Sequence, residues 1–197
     1  MTENSYDHFL SEMDEKPNRL AAIYHAVRNI PYGSVGARDP LMVMKNRIGS
    51  CSGKHILLRN LLRKAGYEAG VMTIFTHFDS KLEPHAAFPA ELNRMIEEGG
   101  VCDYHHYVRV GGADGQKLDA TWQDTLRPYG FPVNSDWDGE GDTDLASVPI
   151  EVFEPVEDLI AFKIERINSL PKAEADRRSR FFGLLSGWIA GIGERSG

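Results

Sequence analysis

The chain has 197 residues, 42% of them hydrophobic and 26% charged, with a formal net charge of −7, a profile of one globular domain rather than a disordered or fibrous chain. The acidic balance argues against nucleic acid and anionic membrane as main partners, and no apolar run has the length needed to cross a bilayer. The first residues lack the basic and apolar stretches of a signal peptide, so a cytoplasmic location is expected, with Cys51 and Cys102 as free thiols.

Residues 6–29 carry Phe9 and Leu10, then Leu20, Ile23, Tyr24 and Val27, at helical spacing interrupted near Pro17, which predicts one bent helix or two short ones. Ile30-Pro31-Tyr32-Gly33 ends this section, a loop runs to Arg38, and Asp39-Pro40 predicts a short helix through Met44, with an acidic cap followed by proline. The loop Gly49-Ser50-Cys51-Ser52-Gly53 leads into residues 54–65, where Ile56, Leu57, Leu58, Leu61, Leu62 and Ala65 form the wide apolar face of a core helix that Gly66 stops. Residues 68–78 predict a strand through Val71, Thr73 and Phe75, residues 84–89 are irregular, and residues 90–98 predict a short helix. Two strand-like runs, 104–110 and 117–121, flank Gly111-Gly112-Ala113-Asp114-Gly115, the signal of an antiparallel hairpin. Residues 134–147 hold Asp136, Asp138, Glu140, Asp142 and Asp144 with few apolar neighbours and read as a solvated loop. Helical patterning returns at 154–168 and at 172–192, the latter with a core stripe of Phe181, Leu184, Leu185, Trp188 and Ile192.

Chemistry concentrates at Cys51. A thiol at the amino end of a helix has its thiolate stabilised by unpaired N–H groups and the positive end of the helix dipole. Nucleophilic thiol chemistry also needs an imidazole to move the proton and a third group to orient that imidazole. Alternation along the first hairpin strand sets His105, Tyr107 and Arg109 on one face and His106, Val108 and Val110 on the other, and the second strand offers Asp119. His106 shares its face with two valines and is expected to pack into core, which leaves His105 for the cysteine; a one-residue slip would exchange them. The expected Cys51 pKa lies well below the ~8.5 of a free thiol.

Three blocks in this order, Gly49 to Gly66 with its cysteine and helix, His105-His106-Tyr107-Val108-Arg109-Val110, and Leu118-Asp119-Ala120-Thr121-Trp122, resemble the transglutaminase-like superfamily of cysteine enzymes, whose core is related to papain. The resemblance covers roughly residues 30–122. It implies Cys51 as nucleophile, His105 as general base and acid, and Asp119 as the orienting carboxylate. Where the family's histidine block often has tryptophan and then glutamate, this chain has Tyr107 and Arg109, a difference expected to change the substrate groove more than the triad.

The Cys51 N–H is one candidate oxyanion donor; the second is open, with Tyr32 a weak candidate. Cys102-Asp103-Tyr104-His105-His106 is not expected to hold zinc, because adjacent strand histidines point apart. Asp136, Asp138, Glu140 and Gly141 lack the glutamate that would complete a calcium loop, since Ser147 stands in its place. His8, His25, His55, His77 and His85 read as surface or satisfied core histidines, and Trp122 and Trp137 as groove wall or structure.

The expectation is therefore an α+β, papain-like and transglutaminase-like fold in one domain, 1–197, with its motif region at 30–122 and a C-terminal helical extension at 154–193. N-terminal helices and the nucleophile helix pack on a small antiparallel sheet. The expected activity is hydrolysis of a peptide or amide bond through a thioester, without metal or cofactor, on a peptide, protein or small amide substrate. Transfer to an amine, or a silent peptide-binding cleft, are the alternatives.

Overall fold

The computed structural model describes residues 2–33 and 38–195. The loop expected between Gly33 and Arg38 falls on residues 34–37, outside the described residues. Helices α1 (Thr2–Ser11) and α2 (Arg19–Arg28) are the two short helices separated around Pro17. The Asn18 side chain caps α2 by accepting from Ala21 N at 3.1 Å. Helix α3 (Pro40–Asn46) starts where Asp39 accepts from Leu41 N at 2.8 Å with proline at the first position.

Helix α4 (Cys51–Lys64) is capped by Ser50, whose hydroxyl accepts from Gly53 N at 3.3 Å. It ends before Gly66, whose φ of 93° lies in the region open to glycine. Every residue from Cys51 to Leu58 is buried, with Leu61 and Leu62. A helix apolar over so much of its surface must be covered on several sides, and α2 and α3 together with the sheet cover it. Full burial of Leu57, Leu58, Leu61 and Leu62 stabilises the fold by about 1.5–3 kcal/mol each. The body of α4 is therefore clamped in the main core, where Ile23, Val27, Val71, Val108 and Leu118 also lie, and Cys51 at its start packs with Tyr32, Phe78 and Trp122.

The sheet is four-stranded and antiparallel, in the order β3-β2-β1-β4, from β1 (Ala69–His77), β2 (Cys102–Val110), β3 (Gln116–Leu118) and β4 (Pro149–Phe153). It confirms the α+β architecture and the hairpin. Two expectations need correction. The second hairpin strand stops at Leu118 rather than 121, because the next three amides bond to side chains instead of β2: Asp119 N to Thr143 Oγ1 at 2.7 Å, Ala120 N to His55 Nε2 at 2.9 Å, and Thr121 N to Asp119 Oδ1 at 2.9 Å. The helix expected from 154 begins at Leu159, because Asp158 caps it through Ala161 N at 2.9 Å, so α6 is Leu159–Asn168.

Helix α5 (Ala90–Glu98) lies where expected. Helix α7 (Lys172–Arg195) packs on it and on β2, and its Phe181, Leu185 and Trp188 join Phe78, Trp122 and Phe131 in a second, aromatic core. Among the described residues no helix is long and apolar enough to cross a membrane.

Candidate active site

Strand β3 pairs only with Val108, Arg109 and Val110, so it leaves the β2 edge beside His105 uncovered. The amino end of α4 comes to this stretch. Cys51 Sγ lies 3.3 Å from His105 Nδ1 and 3.9 Å from the His106 carbonyl oxygen. On its far side His105 Nε2 lies 2.7 Å from Asp119 Oδ2. Continuing the hairpin register would set Thr121, not Asp119, opposite His105; the break at Leu118 is what brings Asp119 to the imidazole. The three residues singled out from sequence thus stand in one line, all buried.

His106 is on the other side of β2, paired with Thr73, whose hydroxyl lies 3.1 Å from His106 Nδ1. Alternation along β2 thus sets the two histidines on opposite faces.

The short segment carrying Asp119 lies outside the sheet yet is pinned at nearly every polar atom. Its amides go to Thr143, His55 and the Asp119 carboxylate, as above. Its carbonyls accept from buried side chains: Asp119 O from Tyr24 Oη at 2.8 Å, Thr121 O from Lys54 Nζ at 2.9 Å, and Trp122 O from Arg28 Nη1 at 3.2 Å. Lys54 gives its other two protons to Arg28 O and Ile30 O at 2.8 and 2.7 Å. Burial and the Arg28 charge lower the Lys54 pKa to about 7, while its three carbonyl acceptors match the three protons of the ammonium form and tie α4, the end of α2 and the Asp119 segment together.

The Asp119 carboxylate accepts from Thr121 N and Thr121 Oγ1 on one oxygen, and from Ala146 N at 2.8 Å and His105 on the other. Burial opposes its ionisation, but the charge and hydrogen bond of His105, with a smaller contribution from His55, hold its pKa well below the usual carboxylate range. For Cys51, burial again acts against ionisation, and the charge and hydrogen bond of His105 outweigh it, lowering the thiol to about 5. His105 is penalised by burial and stabilised as imidazolium by Cys51 and Asp119, which raise it to about 10. Between those values the pair is thiolate and imidazolium.

His55 was not among the expected site residues. It follows Cys51 by four positions, hence on the same face of α4, and that spacing was the available signal. Its Nδ1 is 2.8 Å from Cys51 O and 3.6 Å from Cys51 Sγ. Burial disfavours the charged ring, and Asp119 and Cys51 together raise its pKa past that penalty. Against this, Ala120 N–H points at Nε2 from 2.9 Å, which requires a lone pair there. A second N–H at that nitrogen would meet the first head-on, so we assign the neutral ring, donating from Nδ1 to the Cys51 carbonyl.

The acidic loop is solvated on one side and anchors the site on the other. Its five acids, Asp136, Asp138, Glu140, Asp142 and Asp144, are exposed as expected, but its inner residues are tied down: Thr143, Ala146 and Ser147 are buried, Asp142 accepts from Lys117 N at 2.8 Å, and Thr143 and Ala146 hold Asp119. Neither tryptophan forms groove wall. Trp122 lies in the aromatic core, and Trp137 packs its ring on Tyr24 at 4.7 Å. Cys102 stands apart, its thiol pushed up to about 11 by burial and by Glu174.

A cavity of about 320 Å³ lies over Cys51. Tyr32 lines it, held beside the α4 start by Gly33 N to Gly49 O at 3.1 Å and Gly49 N to Pro31 O at 3.0 Å. Gly49 is required there, since a Cβ would come within 2.9 Å of Val43 and Lys54 side-chain carbons. The far wall is formed by Asp103, Lys163, Arg178 and Phe182, a group the sequence did not point to.

No protein-family model matches the chain. No curated protein matches it either. Among solved structures it is similar to a protein from Cytophaga hutchinsonii described as a "putative cysteine protease", with a TM-score of 0.48 and 17% identity over 80% of this chain and 44% of that one, so the chain spans less than half the length of that neighbour.

Proposed function

We propose that this chain is a cysteine-dependent acyl-transfer enzyme that hydrolyses a peptide or amide bond, with Cys51, His105 and Asp119 as its triad on a single transglutaminase-like domain. The observation that carries the reading is the line from Cys51 Sγ through His105 to Asp119, at 3.3 and 2.7 Å. The three-block resemblance to transglutaminase-like enzymes supports it from the sequence.

The Cys51 thiolate attacks the substrate carbonyl carbon, forming a C–S bond and a tetrahedral oxyanion. Cys51 N–H at the start of α4 and the Tyr32 hydroxyl are the donors we assign to that oxygen. Burial, and the nearby Cys51 charge, raise the Tyr32 pKa well above its ordinary value and keep the phenol a proton donor. The tetrahedral species collapses by breaking the C–N bond, with the His105 imidazolium giving its proton to the leaving amine. Water then attacks the thioester while neutral His105 takes its proton; the C–S bond breaks, the acid leaves and the thiolate–imidazolium pair is restored. Asp119 keeps the His105 ring oriented through both steps, and His55 and the acidic loop keep Asp119 in place.

Alkylation of Cys51 by iodoacetamide across pH 4–10 tests the reading. The expected rate is fast and rises through a midpoint near 5, the value set by the ion pair. Slow alkylation that rises only near the ~8.5 of an ordinary thiol sinks it. Adding a primary amine to a turnover assay separates the two acceptors: hydrolysis yields the free acid whether or not the amine is present, and a transferase yields the substituted amide.

A further inference from the structure

The wall of the cavity opposite α4 has a charge pattern that the acyl-transfer chemistry does not use. Asp103, 1% exposed on β2, accepts from Arg178 Nε at 2.8 Å, and Arg178 Nη2 lies 2.7 Å from the same oxygen. Lys163 of α6, 6% exposed, stands 3.5 Å from the other oxygen, too far for a full hydrogen bond. The Arg178 guanidinium is also held over the Phe182 ring at 4.7 Å. Arg38, an exposed residue, is the third cation of the lining. Three cations thus face one carboxylate around this cavity, in a chain whose formal charge is −7.

An ion cluster that only docked α6 and α7 on β2 would need one cation for Asp103, and Arg178 already meets it with two nitrogens. Lys163 is the surplus. Its ammonium, 3.5 Å from Asp103, lies on the wall of the cavity, where a bound anion can complete its shell. An arginine orients several donors at once, so Asp103 fixes the fork of Arg178 and leaves its remaining N–H groups for a second acceptor. The pocket that holds both cations also holds Cys51.

We propose that Lys163 and Arg178, preset by Asp103 and aided by Arg38, form a subsite for a substrate carboxylate. The preferred substrate is accordingly a peptide or small amide bearing a carboxylate that reaches the same cavity as the carbonyl that Cys51 attacks. This rests on Cys51 being the nucleophile, as proposed above.

The test compares iodoacetate with iodoacetamide as alkylating agents of Cys51, a pair that differs in the carboxylate. The ratio of their rate constants cancels thiolate reactivity common to both and reads the field at the pocket. In Lys163→Met the ratio is expected to fall roughly fivefold, as for loss of one partly screened charge at close range. In Arg38→Gln, at an exposed position that does not threaten folding, it falls roughly twofold. Lys172→Met, an exposed lysine at the start of α7 that does not line the cavity, keeps the wild-type ratio, and raising the salt narrows that ratio in the wild type. Near-UV circular dichroism checks the fold of each variant. An unchanged ratio in folded Lys163→Met overturns the subsite; if that variant does not fold, an unchanged ratio in Arg38→Gln does. Slow iodoacetamide labelling of the wild type with ordinary thiol titration is a different result: it removes Cys51 as nucleophile and this inference with it.

Discussion

The two sides of β2 each bury one histidine completely, His105 and His106, adjacent in sequence and equal in exposure, and the structure sets their charge in opposite directions. On the Cys51 side, the thiolate and Asp119 raise His105 to about 10. On the other side, burial and the positive charges of Lys163 and His105 push His106 well below its ordinary value, with only the Thr73 hydroxyl as a side-chain partner and Nε2 unpartnered among the described residues. Desolvation is common to both rings, so it does not decide which one is charged. Anionic partners decide.

Exchanging the His105 side for a neutral one breaks that comparison most severely. His105→Ala removes the imidazolium closest to the Cys51 sulfur, at 3.3 Å, the group assigned to pass a proton to the leaving amine. Turnover is expected to fall by about a thousandfold or more. The Cys51 alkylation midpoint should move up toward the ordinary thiol value, because the largest force lowering it is gone. Steady-state kinetics and the pH profile of alkylation check both; an unmoved midpoint would show that the helix end, rather than the imidazolium, sets the thiolate.

Asp119→Asn is the milder version of the same break. The amide keeps an oxygen for Thr121 or Ala146 but removes the charge opposite His105. The ring loses its preferred tautomer and part of its positive charge, and turnover is expected to drop about a hundredfold. Thermal unfolding should also fall by several degrees, since this buried carboxylate meets four donors. Wild-type turnover in a folded Asp119→Asn would remove the carboxylate from the mechanism.

Much of this site was legible in the sequence because its logic is local. A glycine-rich turn before an apolar helix places Cys51 at a helix start, and strand alternation separates His105 from His106. The remainder depends on long-range closure. Asp119 is visible as a carboxylate on a hairpin, but the ladder break that delivers it to His105 depends on Thr143 from a loop that composition alone reads as solvated. Lys163 and Arg178 lie on helices whose own patterning gives no reason for a buried cation; they converge on Asp103 only after α6 and α7 dock. Strand β4 was missed for a related reason: Ile150 and Val152 are exposed on an edge strand, so no buried face marks it. His55 is the one site residue whose signal was local and passed over, four positions after Cys51 on the same helix.

The smallest expected effect comes from the His106 side, and it is the one that isolates pH. Folded His106 stays neutral where the unfolded imidazole, with its pKa near 6.5, takes a proton. The unfolded state therefore binds more protons below that pH, and stability falls with acidification by about 1.4 kcal/mol per pH unit. The Cys51–His105 pair adds a limb in the same place. Folded, it binds one proton from about pH 5 to about 10; unfolded, it binds two below 6.5, one up to 9 and none above. The pair thus loses stability from pH 6.5 down to 5 and from pH 9 up to 10, and is flat between. His106→Leu should remove only its own share of the acid limb. At pH 8 its stability should lie within about 1 kcal/mol of wild type, because losing the Thr73 partner is offset by removing an unpaired ring nitrogen. At pH 5 the variant should gain roughly 2 kcal/mol relative to wild type, with the alkaline limb unchanged. Urea unfolding at pH 5, 8 and 9.5 measures all three points, and parallel curves for the two proteins from pH 8 to 5 would mean that His106 is protonated in the fold, which would erase the contrast between the two sides of β2.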